Sequence, residues 1–144
     1  MRTAPTLLPT IGSMSVSIIY YSDFSITTVM RIWGTHLLLT ARKCHPLSIR
    51  CIRTIEAFSN SLVKKIDMVP YGPPQIAYFG ENDKKGYTLV QLIQTSNITA
   101  HFVEAYDEIH LDVFSCKDFN PSTVESEVRR HFYAEEITSQ LIKR

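Results

Sequence analysis

The sequence predicts an α+β fold in which an antiparallel sheet has two helices packed on one face, in the order β-α-β-β-β-β-α-β. Three observations support this prediction. Apolar residues recur at three- and four-residue steps over residues 49–66, which is the spacing of one helix face. The spacing changes to two between residues 75 and 115, where the connections are too short for parallel neighbours. A second helix start follows at Asn120, so consecutive strands separate the two helices.

The first part of the predicted domain contains one strand and the longer helix. Residues 36–40 are a short apolar run between Gly34 and Arg42, which is typical of a buried strand. Over residues 49–66 the polar side chains fall opposite the apolar ones, as in a helix that packs one face on a sheet. Pro70 and the prolines after it end this helix, because proline cannot continue it.

The second part of the domain is rich in strands. Four segments have strand-like composition and short polar connections, which favours antiparallel hairpins: residues 75–79, 87–95, 97–104 and 109–115. Asn120 suits a helix N-cap, and Pro121 suits the first helical turn. Residues 136–142 alternate loosely between apolar and polar, and we expect them to form a final edge strand.

Composition excludes several classes of protein. The 144 residues suffice for one domain, and a formal net charge of +1 gives no electrostatic reason to expect nucleic acid or an anionic membrane as partner. No apolar stretch is long enough to span a bilayer. The three cysteines, Cys44, Cys51 and Cys116, are too few for a disulfide scaffold and fit a reducing compartment, so we expect the cytoplasm. No spacing typical of a metal site is present.

The N-terminal 32 residues differ from the rest. Residues 1–32 are rich in Ser, Thr, Ile and Tyr, and we interpret them as an extension before a domain over residues 33–144. Met14 and Met30 are alternative starts of the chain, and Met30 stands just before the first convincing strand. A mitochondrial-type leader is the competing interpretation.

One reactive side chain occupies a predicted strand, and another directly follows the next strand. His101 shares one strand face with Asn97 and Thr99, and Cys116 follows the next strand along the chain. If these strands pair, a His and a Cys could approach each other. A nucleophilic hydrolase and a general acid beside a base are both compatible with the pair. So is a structural role, with a half-buried histidine and a small core cysteine.

From Trp33 onward the sequence resembles the short prokaryotic S-adenosylmethionine decarboxylases, the pyruvoyl enzymes of spermidine synthesis. The similarity is strongest in GYTLVQLIQTSNITAHFVE at residues 86–104 and LDVFSC at residues 111–116. WGTHLLL at residues 33–39 resembles the family's opening strand, and IDMVPYG at residues 66–72 resembles the link after its first helix. The family pattern of Ser, His five residues later and Cys fifteen beyond falls on Ser96, His101 and Cys116.

The resemblance implies that the chain cuts itself. The Ser96 hydroxyl would attack the carbonyl of Thr95, an ester would form, and His101 would remove the α-proton of residue 96 so that elimination cuts the chain. Thr88 aligns with a hydroxyl residue that assists this processing, and Cys116 with the acid that protonates the product. The pyruvoyl group derived from Ser96 is the implied cofactor. Its carbonyl forms a Schiff base with the substrate amine and acts as an electron sink, as a pyridoxal cofactor would.

Several positions depart from the family pattern. Thr95 stands where glutamate is usual, and Asn97 stands where histidine is usual. An acidic residue is expected at Thr40, and glycine or an acidic residue at Lys43. The family's substrate-binding Thr-Trp-Pro-Glu is replaced by FVEA at residues 102–105, so the resemblance assigns Phe102 and Glu104 to the substrate pocket. A lost carboxylate near a cationic substrate removes favourable charge.

Three functions follow from the resemblance. The first is decarboxylation of S-adenosylmethionine, a small-molecule amino-acid substrate, for spermidine synthesis. The second is the same chemistry on arginine or ornithine. The third is an unprocessed, inactive paralogue that regulates a partner. The resemblance also implies a homodimer with sites between subunits and no metal. Charge balance and the short apolar runs give no reason to expect nucleic acid or a membrane as partner.

Overall fold

The computed structural model describes residues 31–144, which form a six-stranded antiparallel sheet with the helices on one face. The strands lie in the order β2-β3-β4-β5-β1-β6. The α+β class and the order of elements are therefore confirmed, while residues 1–30 of the predicted extension lie outside the described residues. The elements are β1 Thr35–Arg42, α1 Pro46–Ile49, α2 Ile52–Lys65, β2 Gln75–Phe79, β3 Gly86–Ile93, β4 Ser96–Val103, β5 Glu108–Ser115, α3 Pro121–Phe132 and β6 Glu136–Lys143, with a 3₁₀ turn at Asn82–Lys84.

The core lies between the sheet and helices α2 and α3. Alternate residues of β1, β4 and β5 point toward the helices and are buried, as the period of two requires. Phe58 of α2 and Phe132 of α3 are fully buried and meet edge to face with ring centroids 5.0 Å apart. Asn120 caps α3 as predicted, because its Oδ1 accepts a 2.9 Å hydrogen bond from the backbone N–H of Ser122.

The long predicted helix over residues 49–66 is two helices rather than one. The backbone turns extended at Cys51, between the four-residue α1 and the fourteen-residue α2. Arg50 explains the break. Its guanidinium donates to the carboxylate of Asp107 at 2.8 Å and to the backbone carbonyl of Glu104, both in the β4–β5 connection. These contacts with a distant segment hold Arg50 outside a continuous helix. The spacing of apolar residues does not reveal such contacts.

The opposite face of the sheet is not covered by any described helix. It presents the outward side chains of the central strands, among them Thr88, His101, Asp112 and Phe114. Residues 136–142, predicted as an edge strand, fall in β6, which within residues 31–144 pairs with β1 alone. Among residues 31–144, none of the helices combines the length and apolar character that a membrane crossing needs. The same part of the chain brings no group of three metal-ligating side chains together.

Candidate active site

Ser96 begins β4 in a strained backbone conformation. Gln94 and Thr95 form a two-residue turn between Ile93 and Ser96, which pair directly. Tight hairpins of this length favour turns in which one or both central residues have positive φ. Here both central residues have negative φ, and Ser96 has φ of +150° instead. This region of backbone conformation is adopted mainly by glycine. Holding a residue with a side chain there raises the free energy of the folded chain by about 1–3 kcal/mol. The strained residue is therefore the one that follows the peptide bond between Thr95 and Ser96.

A segment that follows α2 holds this turn from one side. The N–H of Gln94 donates to the carbonyl of Val69 at 3.0 Å, and the N–H of Tyr71 donates to the carbonyl of Leu92 at 2.8 Å. Pro70 forms an antiparallel bridge with Ile93. This segment is part of the IDMVPYG stretch, so it acts as a short extra strand that fixes the end of β3.

The residues after β5 hold the turn from the other side. The backbone N–H of Cys116 donates a 3.0 Å hydrogen bond to the carbonyl oxygen of Thr95. The hydroxyl of Ser115 donates to the Thr95 hydroxyl oxygen at 3.1 Å. Gly34 lets the start of β1 pass close by, since a Cβ at that position would come within 2.7 Å of the Ser115 carbonyl oxygen. The Thr95 carbonyl is therefore polarised by a fixed donor.

Thr88 and His101 form a second cluster. They are direct neighbours on β3 and β4, and Thr88 Oγ1 lies 2.6 Å from His101 Nδ1. His101 Nε2 lies 3.2 Å from the carbonyl oxygen of Lys84. A carbonyl only accepts, so this network assigns the proton of the neutral ring to Nε2. Nδ1 then accepts from the Thr88 hydroxyl.

The two clusters lie at opposite ends of β4. Ser96 and His101 are five residues apart along one strand, about 16 Å at roughly 3.3 Å per residue. β4 pairs with β5 as expected, but this pairing sets His101 opposite His110 and Ser96 opposite Ser115. Within one chain, His101 therefore approaches neither Ser96 nor Cys116.

Two comparisons connect this geometry with known proteins. The family model for S-adenosylmethionine decarboxylase matches residues 35–144. The chain belongs to the S-adenosylmethionine decarboxylase family. The solved adenosylmethionine decarboxylase from Aquifex aeolicus VF5 is similar in fold, with a TM-score of 0.66 and 21% sequence identity, over 78% of this chain and 91% of that one. No curated protein matches the sequence. Members of this family are carboxy-lyases, so the chain is an enzyme of this class.

The residues present fit the pyruvoyl group of this family. Such a group forms from a serine whose preceding carbonyl can be attacked by its hydroxyl. Ser96 has a strained backbone next to the Thr95 carbonyl, and that carbonyl already accepts a hydrogen bond from Cys116. All three cysteines of the chain are free thiols, and Cys116 is exposed. By contrast, burial raises the pKa of the Cys44 thiol to about 12, helped by the nearby carboxylates of Asp107 and Glu108.

Of the two residues assigned to substrate binding, Phe102 needs a correction. Its side chain is fully buried and packs against Phe132 with ring centroids 5.2 Å apart, on the helix side of the sheet. A ring in the core cannot contact a substrate on the uncovered face. Glu104 is partly exposed, and its carboxylate accepts a 3.1 Å hydrogen bond from the hydroxyl of Tyr78.

The uncovered face also carries a polar hollow that the sequence pattern does not predict. His36 Nε2 lies 3.2 Å from Asp112 Oδ1, and the Arg144 guanidinium lies over the Phe114 ring at 4.9 Å. The hollow has a volume of about 260 Å³, and its lining includes Asn97, the residue after Ser96. The lining residues are His36, Asn97, Thr99, Asp112, Phe114 and Arg144. The placement of His36 opposite Phe114 depends on the pairing of β1 with β5, which the sequence pattern does not reveal. A larger hollow, of about 500 Å³ beside Cys51 and Arg130, is remote from this site.

Proposed function

We propose that the chain is a pyruvoyl-dependent decarboxylase that cuts itself between Thr95 and Ser96 and then decarboxylates S-adenosylmethionine for spermidine synthesis. One observation supports it above the others. The residue that must attack its own preceding carbonyl is the residue with φ of +150°, and that carbonyl accepts a hydrogen bond from Cys116. Strain of this kind raises the energy of the intact bond before the reaction begins.

The first step moves the chain from nitrogen to oxygen. Ser96 Oγ loses its proton and bonds to the carbonyl carbon of Thr95, whose oxygen becomes an oxyanion. The Cys116 N–H already points at this oxygen, and one donor of this kind contributes about 10²–10³-fold to rate. The bond from that carbon to the Ser96 nitrogen then breaks, the nitrogen takes up a proton, and an ester joins the two segments.

The second step breaks the ester. A base removes the α-proton of residue 96, the bond between its Cβ and the ester oxygen breaks, and Thr95 leaves with a carboxylate. The dehydroalanine tautomerises to an imine, which gains water and loses ammonia to leave the pyruvoyl group. His101 is the proposed base, because Nδ1 of its neutral ring is unprotonated and the Thr88 hydroxyl fixes the ring until Nδ1 exchanges this hydrogen bond for the α-proton.

His101 reaches this bond only in a dimer. About 16 Å separates it from Ser96 of the same chain, so the base comes from a second copy. In such a dimer the uncovered sheet faces of two copies pack on each other, and the two-fold axis passes across the middle of β4. The Ser96 end of β4 in one copy then lies over the His101 end of β4 in the other. The same operation completes two equal sites, as isologous pairing requires.

After cleavage, the remaining residues serve decarboxylation. When present, the pyruvoyl carbonyl supplies the electron sink for the bond that releases carbon dioxide. Cys116 is proposed as the acid that delivers a proton to the carbon left behind, since its free thiol is exposed and its backbone lies against Thr95. The adjacent hollow contains one carboxylate, of Asp112, and one guanidinium, of Arg144, so it suits a substrate that carries charges of both signs, a class that includes S-adenosylmethionine.

The test is intact mass by denaturing electrospray on freshly purified and on incubated protein. We expect two chains, residues 1–95 and 96–144, with the smaller one reactive toward hydrazine as a pyruvoyl terminus is. Ser96→Ala stays uncut, whereas Thr99→Ala on the same strand cuts normally. Carbon dioxide released from carboxyl-labelled S-adenosylmethionine, arginine and ornithine then identifies the substrate. A wild-type chain that stays whole after long incubation contradicts the proposal and favours the inactive paralogue.

A further inference from the structure

Ser115 is a fully buried serine at the cleavage turn with no role in the chemistry described above. It ends β5 and pairs directly with Ser96. Its side chain takes part in a directional chain of hydrogen bonds. The N–H of Lys117 donates to Ser115 Oγ at 3.0 Å, Ser115 donates to Thr95 Oγ1 at 3.1 Å, and Thr95 donates to the sulfur of Met68 at 3.1 Å. Ser115 Oγ also lies 3.7 Å from the Met68 sulfur, but its single proton goes to Thr95 Oγ1, the nearer and stronger acceptor, so each hydroxyl donates once and accepts once.

Two adjacent residues thus hold Thr95 at two points. Ser115 binds its side chain, and the N–H of Cys116 binds its carbonyl oxygen. A hydrogen-bonded side chain restricts rotation of its residue, so the carbonyl stays directed at its donor. Attack by a neighbouring hydroxyl depends steeply on such orientation.

We propose that Ser115 is a positioning residue for self-cleavage, whose hydroxyl holds Thr95 so that its carbonyl stays on the Cys116 N–H while Ser96 attacks. This inference rests on the proposed function. Ser115 neither gains nor loses a proton in the reaction. The inference also gives a reason for threonine at position 95, because a carboxylate there could accept from Ser115 but could not donate to Met68.

The role of Ser115 ends when the chain is cut. Thr95 then becomes the terminus of the first segment, and its carbonyl carbon is no longer attacked. A loss of this hydroxyl therefore lowers the rate of cleavage, whereas turnover per pyruvoyl group is set by other residues. A serine that only supported the fold would lower both together with the thermal stability.

The experiment follows cleavage by intact mass in a time course after cell-free synthesis of the full chain. We expect Ser115→Ala and Thr95→Val each to slow cleavage about tenfold, the effect of one lost hydrogen bond. The double variant should be no slower than the slower single one, because both remove the same contact. Thr95→Ser keeps the hydroxyl and should cut at close to the wild-type rate.

The matched control is Ser59→Ala. Ser59 is also fully buried and donates one hydrogen bond, to Gln91 at 3.4 Å, but it lies in α2. The Ser59→Ala variant should cut itself at the wild-type rate. If Ser115→Ala fails to fold, Thr95→Val gives the same test. Wild-type cleavage rates in Ser115→Ala or Thr95→Val, or multiplied losses in the double variant, overturn the inference alone. An uncut wild-type chain overturns the proposed function and this inference with it.

Discussion

The backbone N–H of Cys116 donates a 3.0 Å hydrogen bond to the carbonyl oxygen of Thr95, the atom that gains negative charge when Ser96 attacks. One residue therefore offers two groups with separate tasks. The N–H serves chain cleavage and is independent of the side chain. The exposed thiol serves the later protonation of the product. A substitution that removes the thiol and keeps the N–H separates the two tasks.

Cys116→Ala should cut at close to the wild-type rate and lose decarboxylation. The N–H donor remains, whereas loss of a general acid costs about 10²–10⁴-fold in rate. Intact mass measures the first result, and release of carbon dioxide per pyruvoyl group measures the second. Cys51→Ala is the matched control, because Cys51 lies at the start of α2, remote from the hairpin. A Cys116→Ala chain that stays whole would show that the thiol itself is needed for cleavage.

Thr88→Val should slow the elimination step and let the ester accumulate. The variant removes the hydroxyl that lies 2.6 Å from His101 Nδ1 and orients the proposed base. One lost hydrogen bond predicts about a tenfold slower step. Hydroxylamine cleaves esters but not amides, so added hydroxylamine should cut the accumulated species. Thr88→Ser should restore the rate, and Thr99→Val on the same face should have no effect. Ester accumulation in both valine variants would contradict this assignment.

Phe102→Ala should destabilise the fold rather than weaken substrate binding. The ring is fully buried against Phe132, and removal of a core phenylalanine costs about 3–5 kcal/mol. Urea unfolding in a Ser96→Ala background measures this on a single uncut chain. Phe79→Ala is the control, since Phe79 is 54% exposed and should cost little. An unchanged unfolding midpoint with a raised KM in the processing-competent chain would restore Phe102 to the substrate site.

The burial of Phe102 was predictable from the sequence, and the geometry of the cleavage turn was not. Strand alternation puts Phe102 on one face with Ile98 and Ala100, which are buried too. Its assignment to the substrate pocket came from the family resemblance, which compares positions and does not account for faces. Periodicity and capping likewise predicted the strands and α3, because both depend on nearby residues.

Contacts between distant segments explain what the sequence could not reveal. Ser115 and Met68 both meet Thr95, yet they stand 20 and 27 residues from it in sequence. The break between α1 and α2 likewise depends on Arg50 binding Asp107, 57 residues away. The periodicity of apolar residues predicts which face of a helix or strand is buried. It does not predict which other segment packs against that face. The three-dimensional packing of these segments brings Ser115 and Met68 to the bond between Thr95 and Ser96.

Glu127 should make stability depend on pH in the acid range. Its carboxyl is buried between α2 and α3, which by itself raises the pKa. Hydrogen bonds from Arg130 and Ser61, with the charges of Arg130 and His131, outweigh burial and hold the pKa below 4.5. A lowered folded-state pKa adds stability above pH 4.5 that is lost as the pH falls through the folded value.

Glu127→Gln should therefore lower the free energy of unfolding by about 1–2 kcal/mol at pH 7. The difference from the parent should shrink as the pH falls below 4.5. Urea unfolding across this range, again in the Ser96→Ala background, measures it. Glu56→Gln is the control, because Glu56 is exposed on α2. A difference that stays constant with pH would mean that packing rather than charge is lost.

Two inactive variants should restore cleavage when they share a dimer. His101→Ala keeps Ser96 and Cys116, and Ser96→Ala keeps Thr88 and His101, so a mixed dimer contains one complete site made from both chains. Since about 16 Å separates the two clusters within one chain, neither variant can complete a site alone. Co-expression with different tags should give cut His101→Ala chains and uncut Ser96→Ala chains, read by intact mass.

The pairing of Ser96→Ala with Cys116→Ala supplies the control for this complementation. Ser96 and Cys116 lie in the same cluster, so every site in that mixture lacks either the pyruvoyl group or the thiol. Decarboxylation should therefore stay lost, although Cys116→Ala chains are cut. Restored activity in this control would mean that Cys116 acts across the dimer. Failure of the His101→Ala and Ser96→Ala pair, with mixed dimers verified by tandem purification, would contradict the proposed site between chains, because His101 of one chain would then not serve Ser96 of the other.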